Sequence, residues 1–169
     1  MLTSKQGGMK DGKPRISFSH YSDFYHPFVL PELQNTYGIR TGEFASWGPK
    51  LKDPAKYNVS DFFNTGTSYS NSLGLQFGNQ KNKSYISLAA YNARGIIHNN
   101  KMDRYNVSYN GQYNITDKLT LGAMFMYVDK KAQNMLSQGE YYNPIVPLYL
   151  FPRGDNFNKY KSYERYNPN

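Results

Sequence analysis

Arg104-Tyr-Asn-Val-Ser-Tyr-Asn-Gly-Gln-Tyr-Asn114 alternates without a break: Tyr105, Val107, Tyr109, Gly111 and Tyr113 fall on one side, Asn106, Ser108, Asn110, Gln112 and Asn114 on the other. A period of two belongs to extended chain, whose successive side chains point to opposite faces. The segment reads as a β-strand with one aromatic face and one amide and hydroxyl face.

The same pattern extends outward in both directions. Residues 65–77 set Thr67, Tyr69, Leu73, Leu75 and Phe77 against Gly66, Ser68, Ser70, Ser72, Gly74 and Gln76. Residues 84–91 set Ile86, Leu88 and Ala90 against Tyr85, Ser87 and Ala89, and residues 119–127 set Leu119, Leu121, Ala123, Phe125 and Tyr127 against Thr120, Gly122, Met124 and Met126. A first strand from Arg15 to about Phe24 carries Ile16 and Phe18 opposite Arg15, Ser17 and Ser19. Helical periodicity is hard to find, since Gly, Pro and Asn interrupt almost every window. The expected fold class is all-β, an antiparallel meander of about five strands.

The connections alternate in length. Gly78–Lys83 and Ile115–Lys118 are short and built of Asn, Gly and Asp turn residues. Residues 25–64 and 95–103 form long connections, and a long tail follows Asp129. In a meander alternate connections lie at the same end, so the long loops share one face.

Composition narrows the class. The 169 residues hold 17 Tyr, 10 Phe, 18 Asn and no Cys, with 20 Lys and Arg against 12 Asp and Glu. Such an aromatic-rich, charge-poor chain is unlike a disordered segment, and a disulfide framework or Cys-ligated metal is excluded. The net charge of +8 is scattered in ones and twos, without the clustered footprint of a nucleic-acid binder. No apolar run is long enough for a transmembrane helix. The first residues, Met1–Arg15, lack the apolar stretch and cleavage site of a signal peptide.

Strands of about ten residues, apolar on one side and small and polar on the other, with short turns at one end and long loops at the other, describe the wall of a transmembrane β-barrel. Leu73, Leu75, Phe77, Tyr109, Leu121 and Phe125 are then the lipid-facing residues, and Phe77, Tyr105 and Tyr127 lie at the interfaces. A soluble sheet packing its apolar face on a core matches the pattern equally well.

The loops separate the two. Leu30-Pro-Glu-Leu-Gln-Asn-Thr-Tyr-Gly38, Ser46-Trp-Gly-Pro-Lys-Leu51 and Asn58-Val-Ser-Asp-Phe-Phe-Asn-Thr-Gly66 resemble the early barrel region of the SusC/RagA family of TonB-linked outer-membrane transporters. Gly95–Arg104 is similar to that family's second long loop, and Tyr142-Asn-Pro with Leu148–Asp155 and Tyr160-Lys161 to its third. Leu2–Gly8 and Lys13–Ser17 resemble the exit from its plug domain. The resemblance implies a plug-to-barrel connection over 1–14, the first barrel strands over 15–129 and a truncated third long loop over 130–169. It also implies a complete barrel of roughly 22 strands, of which this chain is a fragment.

What the resemblance implies for function is uptake of oligosaccharides or peptides through the outer membrane of a Gram-negative, Bacteroidetes-like bacterium. TonB would act through a region N-terminal to this chain, a SusD-like surface lipoprotein would close over the long loops, and lipid would surround the wall. The alternative is a soluble or surface β-sheet module that binds glycans or mediates adhesion through its aromatic loops.

No catalytic constellation is found, and neither an enzyme nor a cofactor is expected. His20, His26 and His98 lie in different segments without metal-ligand spacing. Asp23, Glu32 and Glu43 are not paired in the way a glycosidase requires, and Asp103 beside Arg104 reads as a loop-tip ion pair. The loops are rich in rings instead. Tyr37, Trp47, Tyr57, His98, Tyr142 and Phe151 are the candidate ligand or partner contacts, since exposed aromatics stack on sugars or pack on partners. The plainer alternative is that the rings only pack the loops together. Pro147 and Pro152 bracket a stretch read as one helical turn.

Overall fold

The computed structural model describes residues 13–43, 46–55, 57–136, 139 and 143–155. These divide into two compact units, one of residues 13–25 and 65–135, the other of residues 26–64 and 136–155.

The first unit is all β. Strands β1 (Arg15–Tyr25), β2 (Gly66–Gly78), β3 (Asn82–Arg94), β4 (Lys101–Thr116) and β5 (Leu119–Gln133) form one antiparallel sheet in the order β1-β2-β3-β4-β5. Pairing is continuous. Phe18 faces Leu73, Leu73 faces Leu88, Leu88 faces Val107 and Val107 faces Tyr127. The next row is Ile16, Leu75, Ile86, Tyr109 and Phe125. Directly opposed residues share a face, so the apolar sides of all five strands join into one surface. A slip of one residue would send that whole set to the other face.

The strands run further than the alternation alone marks out. β3 extends to Arg94, β4 begins at Lys101 and β5 continues to Gln133. The expected loop 95–103 therefore shrinks to residues 95–100, and residues 130–133 belong to the sheet instead of the third loop. Cross-strand pairing carries the ladder through charged residues, as Arg94 pairs with Lys101 and Asp103 with Lys131. For the same reason Tyr127, expected near a strand end, lies in the middle of β5 opposite Val107.

Local chemistry sets the turns. In the β2–β3 connection, Asn79 Oδ1 accepts from the backbone N–H groups of Lys81 and Asn82 at 2.8 and 2.9 Å. Gly78 enters this turn at φ 151°, where a side chain would collide with the Asn82 carbonyl. The β4–β5 turn is only Asp117-Lys118, preceded by a bulge between Asn114 and Thr116. At the opposite end, Asn99 and Asn134 take positive φ, and Asn134 Nδ2 donates to Asn99 O while Asn100 Nδ2 donates to Asn134 O. These bonds tie the β3–β4 tip to the end of β5.

The second unit holds a 3-10 turn (Val59–Phe62), helix α1 (Ile145–Tyr149) and an isolated bridge between Tyr37 and Lys50. Pro147 lies inside the first turn of α1 and does not bound it. It is tolerated because N–H groups there have no intrahelical acceptor. Tyr57, Val59 and Leu148 form a small buried core, with Leu30, Leu33, Phe62, Phe63, Tyr149 and Phe151 packed around it. The first and third long loops, separate in sequence, thus fold as one body.

Candidate functional site

On the sheet, the two faces differ in chemistry and the aliphatic one is uncovered. Leu73, Phe77, Leu121 and Phe125 are 41%, 37%, 60% and 58% exposed, and Leu75 and Tyr109 are half-buried. All six lie on the same face, with Ile16, Phe18, Leu88 and Val107. No Asp, Glu, Lys or Arg falls on that face from the Ile16 row to the Phe18 row. His20, one row further, has Nδ1 2.6 Å from Asn71 Oδ1 and Nε2 2.7 Å from Ser22 Oγ.

Charge on this face begins only towards the long connections, with Asp129, Lys131, Asp103, Arg94 and Lys101. There Asp103 accepts from Arg94 Nη1 at 2.9 Å and from Asn92 Nδ2 at 2.8 Å. The ion pair expected with Arg104 does not form. Consecutive strand residues point to opposite faces, and Arg104 donates instead to Asn106 Oδ1. Phe24 and Tyr69 meet edge to face at 6.2 Å in the same region.

The other face is mixed over β1 to β4: Ser17, Ser19, Ser70, Ser72, Ser87 and Ser108 occupy adjoining positions, and Tyr21, Tyr85 and Tyr91, with Arg15, Asp23, Lys83 and Arg104, share the face with them. Over β5 it turns apolar, with Met124, Met126 and Val128 exposed. β5 thus carries large aliphatic side chains on both sides.

The second unit is organised around two polar side chains, Gln34 and Arg153, that lie in the loop motifs 30–38 and 148–155 but are not among the candidate contacts. Gln34 Nε2 donates to Tyr37 O at 2.7 Å and Ser46 O at 2.8 Å, while its Oε1 accepts from the N–H groups of Thr36 and Tyr37. Arg153 is only 3% exposed. Its Nε donates to Gln34 O at 2.8 Å, Nη2 to Asn35 Oδ1, and its backbone N–H to Ser46 Oγ at 2.9 Å. The guanidinium lies 4.7 Å from the centre of the Tyr57 ring, a cation-π geometry. Nη1 is buried and has no acceptor among the described residues. Arg153 also contributes to the wall of an open cavity of about 390 Å³, with Leu33, Val59, Asn35, Asn58 and Glu32.

The ring-bearing candidates separate into two pairs. Tyr37 and Trp47 are exposed and lie 6.4 Å apart, tilted by 34°. Tyr57 is buried, meets Phe151 edge to face at 5.3 Å and donates its hydroxyl proton to Phe151 O. Its ring is a support for Arg153 and not an open stacking surface. His98 is exposed at the β3–β4 tip in the first unit, and Tyr142 lies outside the described residues. Among the described residues no three His, Asp or Glu side chains come together as metal ligands. Besides its place in the 148–155 motif, Arg153 carries only a weak local signal, a basic side chain followed by Gly and Asp, which is common to many surface turns.

No protein-family model matches the chain, and no curated protein matches it.

Proposed function

We propose that the five strands are part of the wall of a TonB-dependent outer-membrane importer, with the aliphatic face towards lipid and the serine and amide face towards a watery lumen. One observation carries this: a single-layer sheet exposes an uncharged aliphatic and aromatic band, while its opposite face sets serine, amide and charged side chains among tyrosines over β1 to β4. Tyr105 to Tyr113, the aromatic run of β4, spans about 27 Å of strand, or about 20 Å across a bilayer at a tilt of about 40°, close to the height of the outer apolar band of such barrels. β1 and β5 have no outer neighbour among the described residues, and a barrel abolishes such edges by closure. Oligosaccharides or peptides are the cargo, TonB the energy source and a SusD-like lipoprotein the lid, as the loop motifs suggest.

A glycan-binding or adhesion module is the second reading, favoured by the exposed Tyr37 and Trp47 rings. The two differ in what the aliphatic face touches. The chain has no cysteine, so single cysteines at Leu121, Phe125, Ser108 and Asn110 take a fluorescent label cleanly. In lipid vesicles, labels at 121 and 125 should be quenched from the lipid and those at 108 and 110 from water. Loss of that alternation would overturn the barrel wall.

A further inference from the structure

We propose that Tyr37 and Trp47 form a stacking platform for successive sugar units of a neutral oligosaccharide. This deepens the transport reading, on which it rests only for the bound glycan being cargo, and it selects sugar over peptide as the occupant.

Both rings stand on one short hairpin. Tyr37 bridges Lys50, Gly38 N–H donates to Pro49 O at 3.0 Å, Gly48 N–H to Gly38 O at 2.9 Å and Leu51 N–H to Thr36 O at 2.9 Å. Gln34 ties the backbone at both rings, its Nε2 donating to Tyr37 O at 2.7 Å and to Ser46 O, next to Trp47, at 2.8 Å. Gly48 permits the close approach, since a side chain there would collide with the backbone of Ile39 and Arg40. Rings on a backbone fixed in this way lose little further freedom when a ligand arrives.

The surroundings select the occupant. Trp47 is 71% exposed, so at least one face of its indole is open, and Tyr37 is exposed beside it. Asn35, Thr36, Arg40, Thr41, Glu43 and Lys50, all polar or charged, are exposed on the same segment. A protein or lipid anchor needs a contiguous apolar patch, whereas a pyranose needs an aromatic face beneath its C–H groups and polar groups around its hydroxyl edge. The charges are of both signs, and no cation lies over either ring among the described residues, so the platform recognises ring faces and not an anionic group. With centres 6.4 Å apart and planes tilted by 34°, the two rings are not covered by one flat sugar. Successive units of a chain cover both.

The chain has one tryptophan, so its emission reports on Trp47 alone. The test titrates the full 169-residue chain in detergent micelles with neutral hexasaccharides of glucose, galactose, mannose and xylose, and with the four monosaccharides. At least one hexasaccharide should shift the emission and bind about tenfold or more tighter than its monosaccharide. Tyr37→Leu keeps an apolar side chain on the hairpin but removes a ring, and should weaken that binding about tenfold, while Tyr37→Phe should bind as the unaltered chain does. Unchanged proteolysis within residues 26–64 shows that both variants keep the unit folded.

No response to any of the four hexasaccharides, equal affinity for hexasaccharide and monosaccharide, or binding that survives Tyr37→Leu overturns the platform. An emission change with a neutral tyrosine-containing pentapeptide but no sugar assigns the rings to peptide, and quenching by brominated lipid in vesicles without a sugar response assigns them to the membrane surface; either result overturns the proposal. The sugar titration involves neither transport nor a bilayer, so its failure and a failure of the labelled-cysteine pattern are separate results.

Discussion

The sheet and the loop unit are held together by opposite means. In the sheet, order comes from repetition: each strand pairs with its sequence neighbour, from β2 to β5 through short connections, and one register aligns the aliphatic residues of all five strands. In the loop unit, order comes from a few side chains that reach across the sequence, as Arg153 does to Gln34, Asn35 and Ser46. Repetition tolerates the loss of any one bond but not a change of face. A hub tolerates changes at its periphery but not its own removal.

The largest expected effect follows from the face rule. In lipid, Phe125→Arg should destabilise by about 3 kcal/mol, since a cation near the middle of the lipid face of a barrel is costly. Asn110→Arg, on the opposite, half-buried face, should cost no more than about 1 kcal/mol, because a cation there reaches water. Urea unfolding in vesicles measures both. Similar costs at the two positions would remove the distinction between the faces and with it the membrane orientation.

Much of this sheet was legible because its signal is local. Alternation over residues 104–114 marks β4, and Asn79 and Gly78 mark a turn, without knowledge of any partner. Strand ends were less so. Arg94, Lys101 and Lys131 carry no strand signal of their own and are extended because a neighbouring strand pairs with them. The loop unit was largely hidden. Nothing near Arg153 announces that residues more than a hundred positions earlier will accept its hydrogen bonds. The rings there were visible, but whether a ring is exposed like Trp47 or buried like Tyr57 is decided by long-range packing. The mispaired Asp103 and Arg104 were recoverable in principle, since neighbours on a strand face opposite ways.

The hub can be tested without touching the sheet. Gln34→Leu removes four hydrogen bonds that join residues 34, 36, 37 and 46. At a net contribution of roughly 0.5–1.5 kcal/mol each, partly offset by water at a half-buried site, the expected loss is about 2 kcal/mol. It should appear as faster proteolysis within residues 26–64, with the far-ultraviolet β signal unchanged. If the sheet signal falls in step, the two units are not separately stabilised.

The smallest effect lies at the tip where the sheet itself borrows the loop unit's strategy. Asn134 has φ 49° and donates to Asn99 O at 3.2 Å, while Asn100 donates back to Asn134 O at 2.9 Å. Asn134→Ala removes one side-chain donor and places an alanine in a left-handed conformation that asparagine tolerates better. The two effects together should amount to about 1 kcal/mol. Because the partner bond is accepted by the backbone of residue 134, it survives the substitution. Asn134→Gly separates the contributions: it loses the same donor but relieves the backbone, and should recover roughly half of the stability. Hydrogen exchange of the Asn100 amide, which is bonded to Ile97 O, reads the tip directly. Equal exchange in both variants would mean that backbone conformation contributes nothing there, and that the side-chain bond alone holds the end of β5 to the tip.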